Sequence, residues 1–168
     1  MFVLDSHCDT PAQILRLRDL SIDNDHAHVD FPKLKRGGVD GAFFALYIPA
    51  GLDSDAEAAF AYAARLLDGV NDTLAANGTL AAKAVSYDEA VRNRDKGLFS
   101  VFLGLENGSP IGNSLERLKE FYDKGVRYVT LCHSRDNQIC DSCASKSPKW
   151  GGLSPLGKRL VSEMNRIG

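Results

Sequence analysis

The sequence predicts an α/β chain of parallel strand–helix units, enough of them to make about half of an eight-unit (β/α)8 barrel. Three observations predict it. Short apolar runs alternate with longer amphipathic ones in the order β-α-β-α-α-β-α-β-loop-α. The runs Val39–Ile48 and Leu98–Leu105 are largely apolar, as strands covered on both faces must be. Between the strands lie segments with helix start and stop residues, so helices connect them, and such crossovers are right-handed and join parallel strands.

Each element has its own reason. Phe2-Val3-Leu4 is a short apolar run that ends in polar residues. Pro11–Leu20 fits a helix with proline near its first turn. Val39–Ile48 reads as a buried strand stopping before Pro49. Ser54–Ala76 carries Phe60, Ala63, Ala64, Leu67, Val70 and Leu74 at helical spacing, with Ser54 as N-cap and Glu57 completing a capping box. Tyr87–Asp95 is a second capped helix, started by Ser86 with Glu89 three residues on and closed by Gly97. Leu98–Leu105 follows as a strand. Asn113–Lys124 puts Leu115, Leu118, Phe121 and Tyr122 on one face before Gly125, and Val126–Leu131 reads as another buried strand. A polar loop runs from Ser134 to Gly152, and Ser154–Ile167 is a last helix with Pro155 at its first position.

Composition excludes several classes. The 168 residues are 44% hydrophobic, which suits a single unit over residues 1–168 with a sizeable core. Charged residues make up 25% and the net charge is −2, so nothing points to a nucleic-acid partner. No segment approaches the roughly 18 apolar residues that span a bilayer. The start, MFVLDSHCD, lacks a basic region followed by a long apolar core, so no signal peptide is expected, and a native start implies a cytoplasmic protein. The cysteines Cys8, Cys132, Cys140 and Cys143 are expected as free thiols, and the lone C-x-x-C pair Cys140/Cys143 as part of a plain loop. The chain stops where a fifth strand would be expected.

In parallel α/β folds, reactive groups gather at the C-terminal ends of strands. Those positions hold His7 and Asp9, Glu106, and His133, with Tyr47 at the end of the second strand. His7 and Asp9 are two residues apart, so in extended backbone they point to one side and can offer an imidazole and a carboxylate to one divalent ion. The other reading is a polar strand end with Asp9 capping the next helix. Glu106 directly follows a long apolar run, where a carboxylate needs a cation, hydrogen bonds or solvent. His133 could be a ligand, a proton donor or a carbonyl-polarising group, or simply a hydrogen-bonded strand-end histidine. His26 and His28 form an H-x-H pair in a polar segment and read as surface loop. Cys8, between the two candidate ligands, should point away from them into the core.

Five ordered blocks carry a resemblance: DSHCDTP, FPKLKRGGVDGAFF, GLENG, YVTLCHS and GLSPLGKRLVSEMNRIG. Together they resemble the membrane (renal-type) dipeptidases, peptidase family M19, over essentially the whole chain. The resemblance implies a TIM-type barrel of the metal-dependent hydrolase kind that hydrolyses dipeptides at a centre of two zinc ions. It implies that His7 and Asp9 are ligands of the first metal, that Glu106 bridges both metals, and that His133 is catalytic, contacting substrate and stabilising the developing oxyanion. It gives Tyr47 no role. Two further histidine ligands and a proton-shuttling aspartate of the family lie beyond the matching segment, so the chain resembles the N-terminal half of such an enzyme. The expected partners are a dipeptide substrate and either a second copy or a C-terminal half. The alternatives are an inactive half-barrel serving as an assembly module, or another amidohydrolase-type activity.

Overall fold

The computed structural model describes residues Met1–Gly168. It contains one five-stranded sheet in the order β1-β2-β4-β3, with β5 also pairing with β4. The strands are β1 (Leu4–Cys8), β2 (Gly41–Tyr47), β3 (Ala81–Lys83), β4 (Phe99–Glu106) and β5 (Val126–Thr130). The helices are α1 (Thr10–Ile14), α2 (Phe31–Arg36), α3 (Ala56–Ala76), α4 (Tyr87–Asp95), α5 (Leu115–Asp123) and α6 (Pro155–Ile167). The pairs β1/β2 and β3/β4 are parallel, as the helical connections require. The chain packs as two compact units, one of residues 1–46 and 65–104, the other of residues 47–64 and 105–168.

In the first unit the core is aromatic and aliphatic. Phe43 stacks on Phe102 at 5.0 Å between centroids, and Phe99 meets both Phe31 and Phe44. Leu20, Leu66, Val70, Val101 and Leu103 are fully or almost fully buried around them. Helix α4 begins as expected, with the Ser86 hydroxyl accepting from the Glu89 N–H and the Glu89 carboxylate accepting from the Val85 N–H.

Five elements depart from expectation. The first strand is Leu4–Cys8 rather than Phe2–Leu4, and most of it is exposed, so hydrophobicity misplaced it. Helix α1 is a short stretch, Thr10–Ile14, because Leu17 adopts φ 62 and stops it well before Leu20. Helix α2 has no counterpart among the expected elements. It forms because the Asp30 side chain accepts from the Lys33 N–H as N-cap and Pro32 fits the first turn. Helix α3 starts at Ala56, and Asp55, not Ser54, supplies the capping oxygen, to the Ala58 N–H at 3.0 Å. In place of the expected capping box, Glu57 pairs with Arg117. The short strand β3 carried no signal of its own in the sequence.

The second unit is built on α5, β5 and α6. Leu105, Ile111, Ile139 and Leu160 are fully buried, and Phe60 packs edge-to-face on Phe121 at 5.6 Å. Arg117 covers the other side of Phe60. The segment between β5 and α6 has no regular element, yet it is tightly tied. Both Asp141 carboxylate oxygens accept backbone N–H groups, from Lys149 at 2.7 Å, Trp150 at 3.0 Å and Gly152 at 2.9 Å. Asp136 accepts from the Ser142 N–H and the Ser145 hydroxyl. Desolvation pushes the Asp141 carboxyl upward, but the surrounding backbone donors outweigh it and hold the group below its ordinary value.

Candidate functional site

In the first unit, His7 lies within β1 and Asp9 follows directly after it. The register of β1 against β2 shifts between Asp5 and Cys8, an irregularity of the kind that re-aims a side chain at a strand end. The His7 N–H is bonded back to the Asp5 carboxylate at 3.1 Å. His7 Nε2 stands 3.4 Å from Asp9 Oδ1, so the imidazole and carboxylate do share one side. Asp9 occupies the N-cap position of α1, but its side chain caps nothing. Two local facts accompany this: an N-cap oxygen takes the second or third N–H of the helix, Pro11 has none to give, and the Ala12 N–H is bonded to the Asp9 backbone carbonyl at 3.3 Å. The capping role that the sequence left open for Asp9 is thus not realised.

Cys8 behaves as alternation requires. It is buried, its sulfur lies 2.8 Å from the Thr10 hydroxyl, and desolvation raises its thiol, all of which suit a core residue rather than a nucleophile. His26 and His28 sit on the exposed segment before α2, where the His26 N–H is bonded by Asn24.

In the second unit, β4 is buried along its length until Glu106, whose side chain retains 12% exposure. Glu106 Oε1 lies 3.4 Å from His133 Nε2. Tyr47, for which the sequence suggested no role, presents its ring to His133 edge-to-face at 5.1 Å. An imidazole is therefore held between a carboxylate and an aromatic ring, with about two fifths of its surface open.

Beneath these groups lies a buried polar network that sequence reasoning missed. Asn107 has φ 77, a left-handed conformation that asparagine tolerates better than most residues. Its Nδ2 donates to the Ile48 carbonyl at 3.1 Å and to Asp53 Oδ1 at 2.6 Å. Its Oδ1 accepts from the Ser109 hydroxyl at 2.7 Å and from Asn137 Nδ2 at 3.2 Å. Asn137 Nδ2 also donates to the Leu131 carbonyl at 2.7 Å. The network thus joins the residue after Tyr47, the residue after Glu106 and a residue two before His133. The only local signal was Asn107-Gly108 after an apolar run, a turn dipeptide.

A cleft of about 1180 Å³ in this unit is lined by Asp53, Arg117, Asp136, Asn137, Lys149 and Trp150 among others. Neither Glu106 nor His133 lines it.

The donors are of the right kind for a divalent ion: imidazole nitrogen and carboxylate oxygen, the set zinc accepts, in two close pairs. No helix is long and apolar enough to cross a membrane.

Comparison with known proteins agrees on one family. The family model described as membrane dipeptidase, Peptidase family M19, matches residues 1–168. Dipeptidase tcpJ of Claviceps purpurea is 32% identical, over 98% of this chain and 42% of its own length. An uncharacterized dipeptidase of Schizosaccharomyces pombe is 29% identical, over 99% of this chain and 44% of its own. Among solved structures, dipeptidase AC, a metallopeptidase of family M19, superposes with a TM-score of 0.83 at 26% identity, over 99% of this chain and 54% of that one. The chain spans less than half the length of the curated relatives it matches.

Proposed function

Because the chain belongs to the membrane dipeptidase family, Peptidase family M19, we propose that it carries the N-terminal part of a zinc-dependent dipeptidase. The observation that carries the proposal is the His7–Asp9 pair, with Nε2 and Oδ1 3.4 Å apart and the Asp9 carboxylate not used as a helix cap. In this reading His7 and Asp9 would hold a zinc ion, and Glu106 would offer a further carboxylate ligand to the centre. A bound zinc supplies Lewis acidity toward the peptide carbonyl. His133, steadied by Tyr47, donates a hydrogen bond to the oxygen of that carbonyl as negative charge develops on it.

The rest of the reaction is assigned to residues outside this chain. Dipeptide hydrolysis is accordingly expected only when the remaining part of the barrel is supplied, whereas metal binding is expected of the chain itself. The test is calorimetric titration of the purified chain with Zn²⁺, alongside Asp9→Asn and His7→Ala. Saturable binding that weakens at least tenfold in both variants supports the reading. Binding that the variants leave unchanged, or no binding, sinks it.

One observation favours a second reading, an assembly module. β1 stands at the end of the strand order and is largely exposed, with Val3 and Leu4 open to solvent. An edge strand of this kind invites pairing with a second copy or a C-terminal half. Sedimentation velocity separates the outcomes: a monomer at all concentrations counts against self-association.

A further inference from the structure

The cysteines form a pattern that the dipeptidase reading does not use. The C-x-x-C spacing suggests Cys140 and Cys143 as partners, but the fold separates their environments: Cys140 is buried and Cys143 is exposed. Cys140 instead belongs to the segment that Cys132 meets in space, since the Cys132 thiol reaches the carbonyl of the residue after Cys140. Two sets of hydrogen bonds fix this meeting. The Cys132 thiol donates to the Asp141 carbonyl, the residue next to Cys140, at 3.3 Å. The Asn137 side chain then clamps both cysteine segments at once. Its Nδ2 donates to the carbonyl of Leu131, just before Cys132, at 2.7 Å, and its Oδ1 accepts from the Cys140 N–H at 3.1 Å. The Asn137 N–H also donates to the Cys140 carbonyl at 3.1 Å, closing a ring around that residue.

We propose that Cys132 and Cys140 are an oxidation site at which a small-molecule disulfide, of the oxidised glutathione class, converts the two thiols into an intramolecular disulfide. The short loop between them is already folded, so no large closure is needed, and clamped backbone keeps the sulfurs near each other. The order of steps follows from exposure. Cys132 is half-buried and reachable, whereas burial and the neighbouring Cys132 push the Cys140 thiol up to about 12. Cys132 loses its proton to solvent and its sulfur attacks one sulfur of the external disulfide. The external S–S bond breaks and one glutathione leaves. Cys140 then loses its proton as its sulfur attacks Cys132 in the mixed disulfide, and the second glutathione leaves. In sum, the two protein thiols are oxidised, the external disulfide is reduced to two thiols, and the protein loses two hydrogen atoms. The bond would lie directly before His133 and tether the strand end that presents that imidazole to the loop clasped by Asp141.

The test uses the whole chain, reduced, freed of reductant and exposed to oxidised glutathione. Intact mass and non-reducing peptide mapping are then compared for the wild type, Cys143→Ser and Cys132→Ser. The expected result is loss of two hydrogens with a peptide linking Cys132 to Cys140. This product should be retained in Cys143→Ser, whose altered residue is exposed and does not threaten folding, and lost in Cys132→Ser. A Cys140–Cys143 link, glutathione adducts without a crosslink, or no reaction at either buried-side thiol overturns the proposal. None of these outcomes bears on zinc binding, so this inference and the dipeptidase reading fail separately.

Discussion

Asn107 and Asn137 are joined amide to amide, with Asn137 Nδ2 donating to Asn107 Oδ1 at 3.2 Å in the buried interior of the second unit. Each also holds a strand-end carbonyl, Ile48 for Asn107 and Leu131 for Asn137. Removing one amide strands the partners of both. Asn107→Ala is expected to destabilise the chain by about 2–4 kcal/mol, from unsatisfied buried groups and because alanine lacks the local side-chain bonding that lets asparagine tolerate the left-handed region. Asn107→Gly, which relieves the backbone part, should lose less. Urea unfolding measures both, and equal losses in the two variants would refute the backbone share.

Gly157 inverts a general rule. Alanine for glycine inside a helix normally stabilises by about 0.5–1 kcal/mol. At Gly157, in α6, an added β-carbon would overlap the backbone carbonyl of Ile139, which cannot swing aside. Gly157→Ala is expected to destabilise by about 1–3 kcal/mol. Gly69 in α3 is the control: a β-carbon there meets only the side-chain ends of Ile14 at 3.3 Å and Leu15 at 3.5 Å, so Gly69→Ala should fall near neutral. Thermal melts of the two variants should differ clearly, and matching melting temperatures would contradict the steric account.

Acid stability should depend on Asp30. Its side chain is fully buried, caps α2 and pairs with Lys33 at 2.5 Å. Burial pushes its carboxyl up, but the Lys33 hydrogen bonds and charge outweigh this and hold it below its ordinary value of 3.8. A carboxyl depressed in the folded state stabilises above its unfolded value and loses that contribution as pH falls through the folded one. Stability should therefore drop below about pH 4, the ordinary carboxylate range. Asp30→Asn should be less stable at neutral pH and flatter in acid. Unfolding free energies between neutral pH and pH 3 would show the two curves converging, and parallel curves would exclude Asp30 as the source.

Zinc binding, if it uses imidazole and carboxylate ligands, must compete with protons. Affinity should fall as pH is lowered from neutral through the histidine range, with protons released on binding. Calorimetry in buffers of different ionisation enthalpy reads that release directly. Affinity independent of pH would exclude His7 as a ligand.

The sequence made the strand ends legible because chemistry there follows a run of apolar residues. Glu106 and His133 stood out as polar groups after buried strands, and the structure sets them 3.4 Å apart. Helix α4 matches its expected bounds, since Ser86, Glu89 and Gly97 are local signals. What could not be read was either polar where apolar residues were sought, as in β1, or dependent on distant partners. Asn107 meets Asp53 and Ile48 across 54 and 59 residues of sequence, and no local pattern announces such a contact. Helix α2 spans only Phe31–Arg36 and buries two side chains, Phe31 and Leu34, too few to show a helical period.

The carboxylate clasp of Asp141 has a consequence for how this protein meets a protease. The stretch from Ser134 to Gly152 is long, polar and free of helix or strand, the profile of a segment that trypsin cuts early. Lys146 and Lys149 are exposed there, yet the N–H of Lys149 and those of Trp150 and Gly152 are already bound to Asp141. Cleavage after Lys149 requires the backbone to peel away first, so resistance to digestion at that lysine measures the clasp rather than the surface. Asp141→Ala would turn a guarded loop into a nicking site without touching either scissile residue.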